Sequence, residues 1–169
     1  MESEILFVET QKFNKWLLMI LLPVNGLFLL GVYTQVFNGL PFGDKPLSNT
    51  GLIITTCFVM LLSIVLFNSR LETQIRQDGI YVKFFPVHIK FRHFKWDAIS
   101  KLYVRQYNPI AEFGGWGIRM GFWGKGKAYN ASGNKGLQIE FSNQKRLLIG
   151  TQQLERLKEV LIAIKRYRE

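Results

Sequence analysis

The pattern of hydrophobic and polar positions changes character near residue 70. No residue is charged between Lys15 and Asp44, nor between Lys45 and Arg70. The first stretch contains an apolar run from Trp16 to Phe37 and the second a run from Thr50 to Phe67. At 1.5 Å rise per residue they predict helices of about 33 and about 27 Å, close to the ~30 Å hydrocarbon core of a bilayer. The segment between them, Asn38 to Asn49, holds two Pro and two Gly, the composition of a tight connection. An antiparallel hairpin of two membrane spans, about 16–37 and 50–67, is therefore expected within residues 1–69.

Beyond Arg70 the hydrophobic period becomes two. Segments 71–77 and 80–85 flank Asp78-Gly79, a dipeptide that supplies the positive φ of a tight hairpin turn. Ile80, Val82 and Phe84 share one face, Tyr81, Lys83 and Phe85 the other, and Pro86 ends the strand. Further short strands fit 89–94, 99–107, 116–121, 127–131, Leu137 to Phe141 and 146–150, with turns at 132–134 and 142–144. This spacing predicts an antiparallel barrel or sandwich of about seven strands over residues 70–169. After Thr151, a candidate N-cap, the apolar stripe Leu154, Leu157, Leu161 and Ile164 returns to helical spacing. Lys165, Arg166 and Arg168 would occupy the last turn of that helix, where its dipole favours cations.

Charge sets an orientation. Lys12 and Lys15 precede the first span, Arg70 and Arg76 follow the second, and the connecting segment holds Lys45 alone. The positive-inside rule then puts both termini in the cytoplasm of a two-span plasma-membrane protein. The 169 residues carry a formal net charge of +10, and the excess belongs to the second part, where 19 Lys and Arg from residue 68 onward face 8 Asp and Glu. A cleavable signal peptide fits the first run poorly, because Glu2, Glu4 and Glu9 stand before it. The single cysteine, Cys57, excludes a disulfide framework and is expected to pack as a small apolar residue.

The two-span hairpin, the Asp-Gly hairpin, Trp116-Gly117-Ile118-Arg119, Gly136-Leu137-Gln138-Ile139, and Ile149-Gly150-Thr151-Gln152 before a helix resemble the small bacterial membrane proteins with a cytoplasmic pleckstrin-homology-like (PH-like) domain. The resemblance spans nearly the whole chain. It implies an α+β chain: a transmembrane helical hairpin followed by a PH-like antiparallel barrel or sandwich capped by a C-terminal helix. It carries no assigned ligand or reaction. Phosphoinositide-binding PH domains place several Lys and Arg across their first two strands, whereas here Lys83 is the only basic residue in 80–85, with Arg76 before the turn.

Few residues suggest catalysis. His88 and His93, the only histidines, are five apart and would point to opposite faces of one strand, and the carboxylates are scattered. Neither a metal site nor a cofactor is expected. Gly121-x4-Gly126-Lys127 matches the start of a phosphate-binding loop, but Ala128 stands where Ser or Thr must reach Mg²⁺. Nucleic-acid binding lacks a reading helix or a base-stacking motif.

A binding role without enzymatic activity is the expectation. In one form, Arg119, Phe122, Trp123, Lys125 and Lys127, with the C-terminal Lys165, Arg166 and Arg168, engage anionic headgroups of the inner leaflet. In the other, a strand edge or the groove beside the helix takes a protein partner or a second copy of the chain. The alternative is a scaffold or accessory subunit of a membrane transport or envelope complex, in which Asn25 and Gln35 would line a path.

Overall fold

The computed structural model describes residues 4–167 and divides the chain into two compact units. One is helical, Phe13–Asn68; the other joins residues 1–12 to Ser69–Glu169. The helical unit is thus an insertion into a β unit. The expected helical segment 1–69 ends within one residue of this division, but its first twelve residues belong to the β unit. The first strand, β1 (Ile5–Lys12), buries Phe7, Glu9 and Gln11 on alternate positions. Its buried face is two-thirds polar, so an alternation read from apolar residues alone passes over it.

In the helical unit, α1 (Lys15–Met19) and α2 (Leu21–Val32) are followed by a π-helical turn over Tyr33–Phe37. The expected continuous first span is interrupted at Ile20. Pro23 has no N–H to give the carbonyl of Met19, and its ring crowds that carbonyl. The second apolar run forms α3 (Asn49–Asn68), unbroken. Asn25 Nδ2 donates to Ser63 Oγ at 2.8 Å, and Gln35 Nε2 donates to Asn49 Oδ1 at 3.0 Å and to the Leu47 carbonyl at 2.6 Å. Rising numbers on one helix meet falling numbers on the other, so α2 and α3 are antiparallel. Among the described residues α3 is the one helix long and apolar enough to cross a membrane, and Leu21–Phe37 is a shorter apolar helix. Cys57 is exposed on α3 rather than packed.

The β unit contains two sheets. The first has the order β1, β2 (Arg70–Arg76), β3 (Gly79–Phe85), β4 (Arg92–Lys95), all antiparallel. Lys12 pairs with Arg70, and Arg70 with Phe85, so three strand ends lie side by side where the helical unit is inserted. At the opposite end Asp78-Gly79 turns β2 into β3. A Cβ on Gly79 would collide with the Phe94 carbonyl oxygen of β4, which is why glycine is needed there.

A short 3₁₀ turn over Trp96–Ala98 leads to β5 (Ile99–Gln106), and α4 (Pro109–Phe113) separates it from β6 (Gly117–Met120). With β7 (Lys127–Asn130), β8 (Lys135–Phe141) and β9 (Arg146–Gly150) these form the second sheet, ordered β5-β8-β9-β7-β6. Every strand expected beyond residue 70 is present, and β1 brings the total among the described residues to nine. The second sheet is not purely antiparallel: β7 and β9 pair in parallel. The wide 131–134 connection leaves a strand's width between β7 and β8, and β9 fills it.

Phe7, Leu71, Ile75, Ile80, Val82, Leu102, Leu137 and Ile139 form the apolar interior, with Leu157 and Leu161 from α5 (Leu154–Ala163), while Leu148 packs on the other face of the second sheet with Tyr107, Phe113 and Ala128. Thr151 does not cap α5 directly. It sits two residues before the N-cap Gln153, accepts the Gln153 N–H at 3.1 Å, and donates its own hydroxyl to Glu9 at 2.6 Å.

Candidate functional site

The glycine-rich segment folds as a β6–β7 hairpin whose placement begins at α4. Asn108 Oδ1 caps α4 by accepting the N–H groups of Ile110 and Ala111, Pro109 occupies the first turn, and Gly114 ends it with φ 69°. Glu112 accepts two hydrogen bonds from the Arg105 guanidinium, at 2.9 and 3.2 Å, and one from the Asn108 N–H at 2.9 Å. Partial burial would raise its pKa. The Arg105 and Asn108 hydrogen bonds and the charges of Arg105 and Lys125 outweigh burial and hold the carboxyl below its ordinary range. At the far side Asn130 accepts the Gly117 N–H at 2.9 Å and donates to the buried Tyr107 hydroxyl at 3.0 Å. Burial pushes that phenol's pKa up.

Between β4 and this hairpin lies an open groove of about 870 Å³, closed along one side by the β8–β9 turn. Phe94, Ala98, Met120, Tyr129, Phe141 and Leu147 give it an apolar floor. Arg92, His93, Lys95, Lys127, Lys145 and Arg146 stand around it, and none of its lining residues is Asp or Glu. Arg92 donates to the Tyr129 hydroxyl at 2.9 Å, and Arg146 lies 3.5 Å from the Glu140 carboxylate. Lys95, Lys127 and Lys145 are exposed and form no ion pair among the described residues. Such a site suits an elongated ligand with an apolar body and negative charges.

Of the residues singled out in the sequence, Lys127 lines this groove and its neighbours divide. Trp123 is 97% exposed at the loop tip, with φ 54°, and Phe122 is half exposed beside it. Lys125 lies 3.6 Å from the Glu112 carboxylate and so is partly neutralised. Arg119 donates from Nε to the Trp116 carbonyl at 3.0 Å, outside the groove lining. Lys165 and Arg166 lie past the end of α5, where Arg166 covers the Trp96 ring at 5.5 Å. Of the expected contact residues, those of the glycine-rich segment and those after α5 thus have different surroundings, and Arg168 falls outside the described residues. Sequence reasoning missed Arg92, Lys95, Lys145 and Arg146, which β4 and the β8–β9 turn bring to Lys127. Nothing in their local spacing signals that convergence, because it depends on how the two sheets face each other.

The groove occupies one end of the β unit. Its β4 residues pair with the half of β3 that runs toward Gly79, away from Phe85. In the second sheet it uses the Arg146 end of β9, whereas Gln11 reaches the opposite end by donating to the Gly150 carbonyl at 2.6 Å. His88 and His93 turn to opposite sides. His88 is buried edge-on to Tyr129, and His93 stacks on Tyr81. Asn25 and Gln35 are both engaged in hydrogen bonds inside the helical unit.

No curated protein matches the chain. Residues 1–166 match the family described as a family of unknown function (DUF6141), and the chain belongs to that family.

Proposed function

We propose that this protein is a membrane-anchored, non-enzymatic binding module whose groove takes an acidic, partly apolar segment of a protein partner. In this reading the helical unit spans the plasma membrane twice, the β unit is a PH-like sandwich in the cytoplasm, and both termini are cytoplasmic. The outward surfaces of the helical unit support the first point, with Leu22, Leu27, Leu30, Ile54, Phe58, Leu61 and Ile64 all exposed. A surface of that kind is expected against lipid and is costly in water. Two sheets with a C-terminal helix support the second, although a parallel strand pair and β1 go beyond a seven-stranded antiparallel plan.

The single observation that carries the binding role is the groove, about 870 Å³ with basic residues around an apolar floor and no acid in its lining. Like charges gathered around one cavity raise the local potential and repel one another until an anion arrives. The apolar floor favours a peptide over a small hydrophilic anion.

The test uses the full chain in nanodiscs and a fluorescein-labelled peptide alternating Glu with Leu and Phe, read by anisotropy. Binding is expected to weaken at least tenfold in Lys127→Glu/Lys145→Glu and to weaken with salt, as exposed charges are screened beyond about 8 Å at physiological ionic strength. Binding that ignores both changes, or none at all, overturns the reading. Equal binding to anionic lipid vesicles that is lost in the same variant would transfer the groove to headgroups.

A further inference from the structure

We propose that the β3–β4 loop, residues 86–91, is a second membrane contact that inserts Val87 and Ile89 into the interface of an anionic bilayer. This rests on the reading that the helical unit spans the membrane.

The loop leaves β3 at Phe85, which pairs with Arg70, which in turn pairs with Lys12. Those two partners are the residues through which the chain passes into the helical unit and out of it. Phe13 and Asn14 alone separate β1 from α1, and Ser69 alone separates α3 from β2. At no more than about 3.6 Å per residue, neither link can reach further than about 11 Å. The interfacial zone on each side of the hydrocarbon is itself about 6 Å thick. Neighbouring strands are about 4.8 Å apart, so the loop after β3 is only one strand's width from the β2 attachment point. On the spanning reading, a loop this close along the sheet to both links can reach the membrane surface.

Its side chains suit that place. Val87 is 68% exposed and Ile89 84% exposed, yet His88 between them is 8% exposed. The His88 N–H donates to the Phe84 carbonyl at 2.7 Å, the Phe84 N–H donates to His88 Nδ1 at 3.3 Å, and the imidazole meets the Tyr129 ring edge-on at 5.3 Å. With the middle residue locked inward, its two aliphatic neighbours are held outward and contribute little to the interior. Lys90 on the same loop and Lys12 at the neighbouring strand end are exposed and without ion pairs among the described residues. Two aliphatic tips flanked by free lysines match the apolar and anionic layers of a bilayer surface.

The test uses the full chain with Cys57→Ser and one new cysteine labelled with an environment-sensitive fluorophore, in nanodiscs containing anionic lipid. Labels replace Ile89, Asn143 in the β8–β9 turn, or Phe58 on the outer side of α3. Nitroxide lipids near the headgroup are expected to quench the Ile89 label at least twofold more than the Asn143 label. Val87→Asp, read from a label at Lys90→Cys, is expected to lower that quenching. If the Phe58 label is quenched by deep nitroxides while the Ile89 label behaves like the Asn143 label, the loop proposal fails and the spanning reading stands. If the Phe58 label escapes deep nitroxides, the spanning reading fails and the loop proposal falls with it.

Discussion

Two regions of the β unit are built on opposite principles. Around β1, buried polar groups bond to one another, and among the described residues Gln11 Oε1 and Thr73 Oγ1 alone are buried without a partner. Glu9, 3% exposed, accepts the Thr151 hydroxyl at 2.6 Å and the Gln152 N–H at 2.7 Å, and Gln152 in turn donates to Ser132. At the groove end, cations are exposed and three lysines have no acidic partner among the described residues. Satisfied buried polar groups specify one arrangement, whereas unpaired surface charges leave a site unfinished until a ligand completes it. The comparison sets a hydrogen-bonded polar interior beside β1 against an unpaired cationic surface around the groove.

The largest way to break it is to remove β1. Deleting residues 1–12 strips Phe7 from the interior, a loss of about 3–5 kcal/mol by itself, and leaves the buried edge of β2 unpaired. A domain of this size is stable by only about 5–15 kcal/mol, so a fragment of residues 70–169 is expected to be unfolded or aggregated. Replacing residues 13–69 by Asn-Gly instead joins Lys12 to its register partner Arg70 through a two-residue hairpin turn and keeps every strand. Circular dichroism and gel filtration should find that version folded and soluble. A folded 70–169 fragment would mean that β1 is dispensable.

That strand also marks the limit of what the sequence made legible. Ile80, Val82 and Phe84 alternate cleanly, and β3 lies where their period puts it. Glu9 and Gln11 occupy inward positions but are polar, so the period that finds strands is silent there, and the pairing that buries them comes from residues over 130 positions away. The α4 helix was readable, since Asn108, Pro109, Glu112 and Gly114 are cap, first turn, first-turn acid and left-handed stop. For the groove, Lys127 was visible beside its aromatic neighbours, but Arg92, Lys95 and Lys145 reach it only through tertiary packing.

A second prediction sharpens the polar lock. Glu9→Leu leaves the Thr151 hydroxyl and the Gln152 N–H without their acceptor, which should cost about 2–3 kcal/mol in denaturant or thermal melts. Lys127→Glu at the other end should stay within about 0.5 kcal/mol, because it disturbs no buried group. Comparable losses at both sites would erase the distinction.

His88 offers a test by pH. Burial lowers its pKa from the ordinary histidine value, and the Arg92 charge lowers it further. Its Nδ1 accepts the Phe84 N–H, which requires that nitrogen to be unprotonated. A base with a depressed pKa in the folded state leaves the unfolded chain holding more protons. Stability from the neutral ring is therefore complete above about pH 6.5 and is lost as pH falls toward the folded value. Melting temperature should drop more between pH 7 and pH 5 for the native chain than for His88→Asn, whose Oδ1 keeps an acceptor and does not titrate. Parallel curves would show that His88 is not the group responsible.

The smallest expected change in stability is at Trp123, where two opposing terms meet. Its φ of 54° puts a large side chain in the left-handed region, at a cost of about 1 kcal/mol. Trp123→Gly removes that strain but gives the unfolded chain extra freedom, worth about 0.5–1 kcal/mol. With the side chain 97% exposed there is almost no packing to lose, so the terms should cancel to within about 0.5 kcal/mol. The acidic peptide is a separate readout. An aromatic beside the groove-lining Gly124 is expected to contribute contact area that folding does not use, and the substitution should weaken peptide binding about threefold. A melt that falls by several degrees would show that Trp123 packs after all. Unchanged folding together with weakened binding would tie this strained, exposed ring to recognition at the groove end.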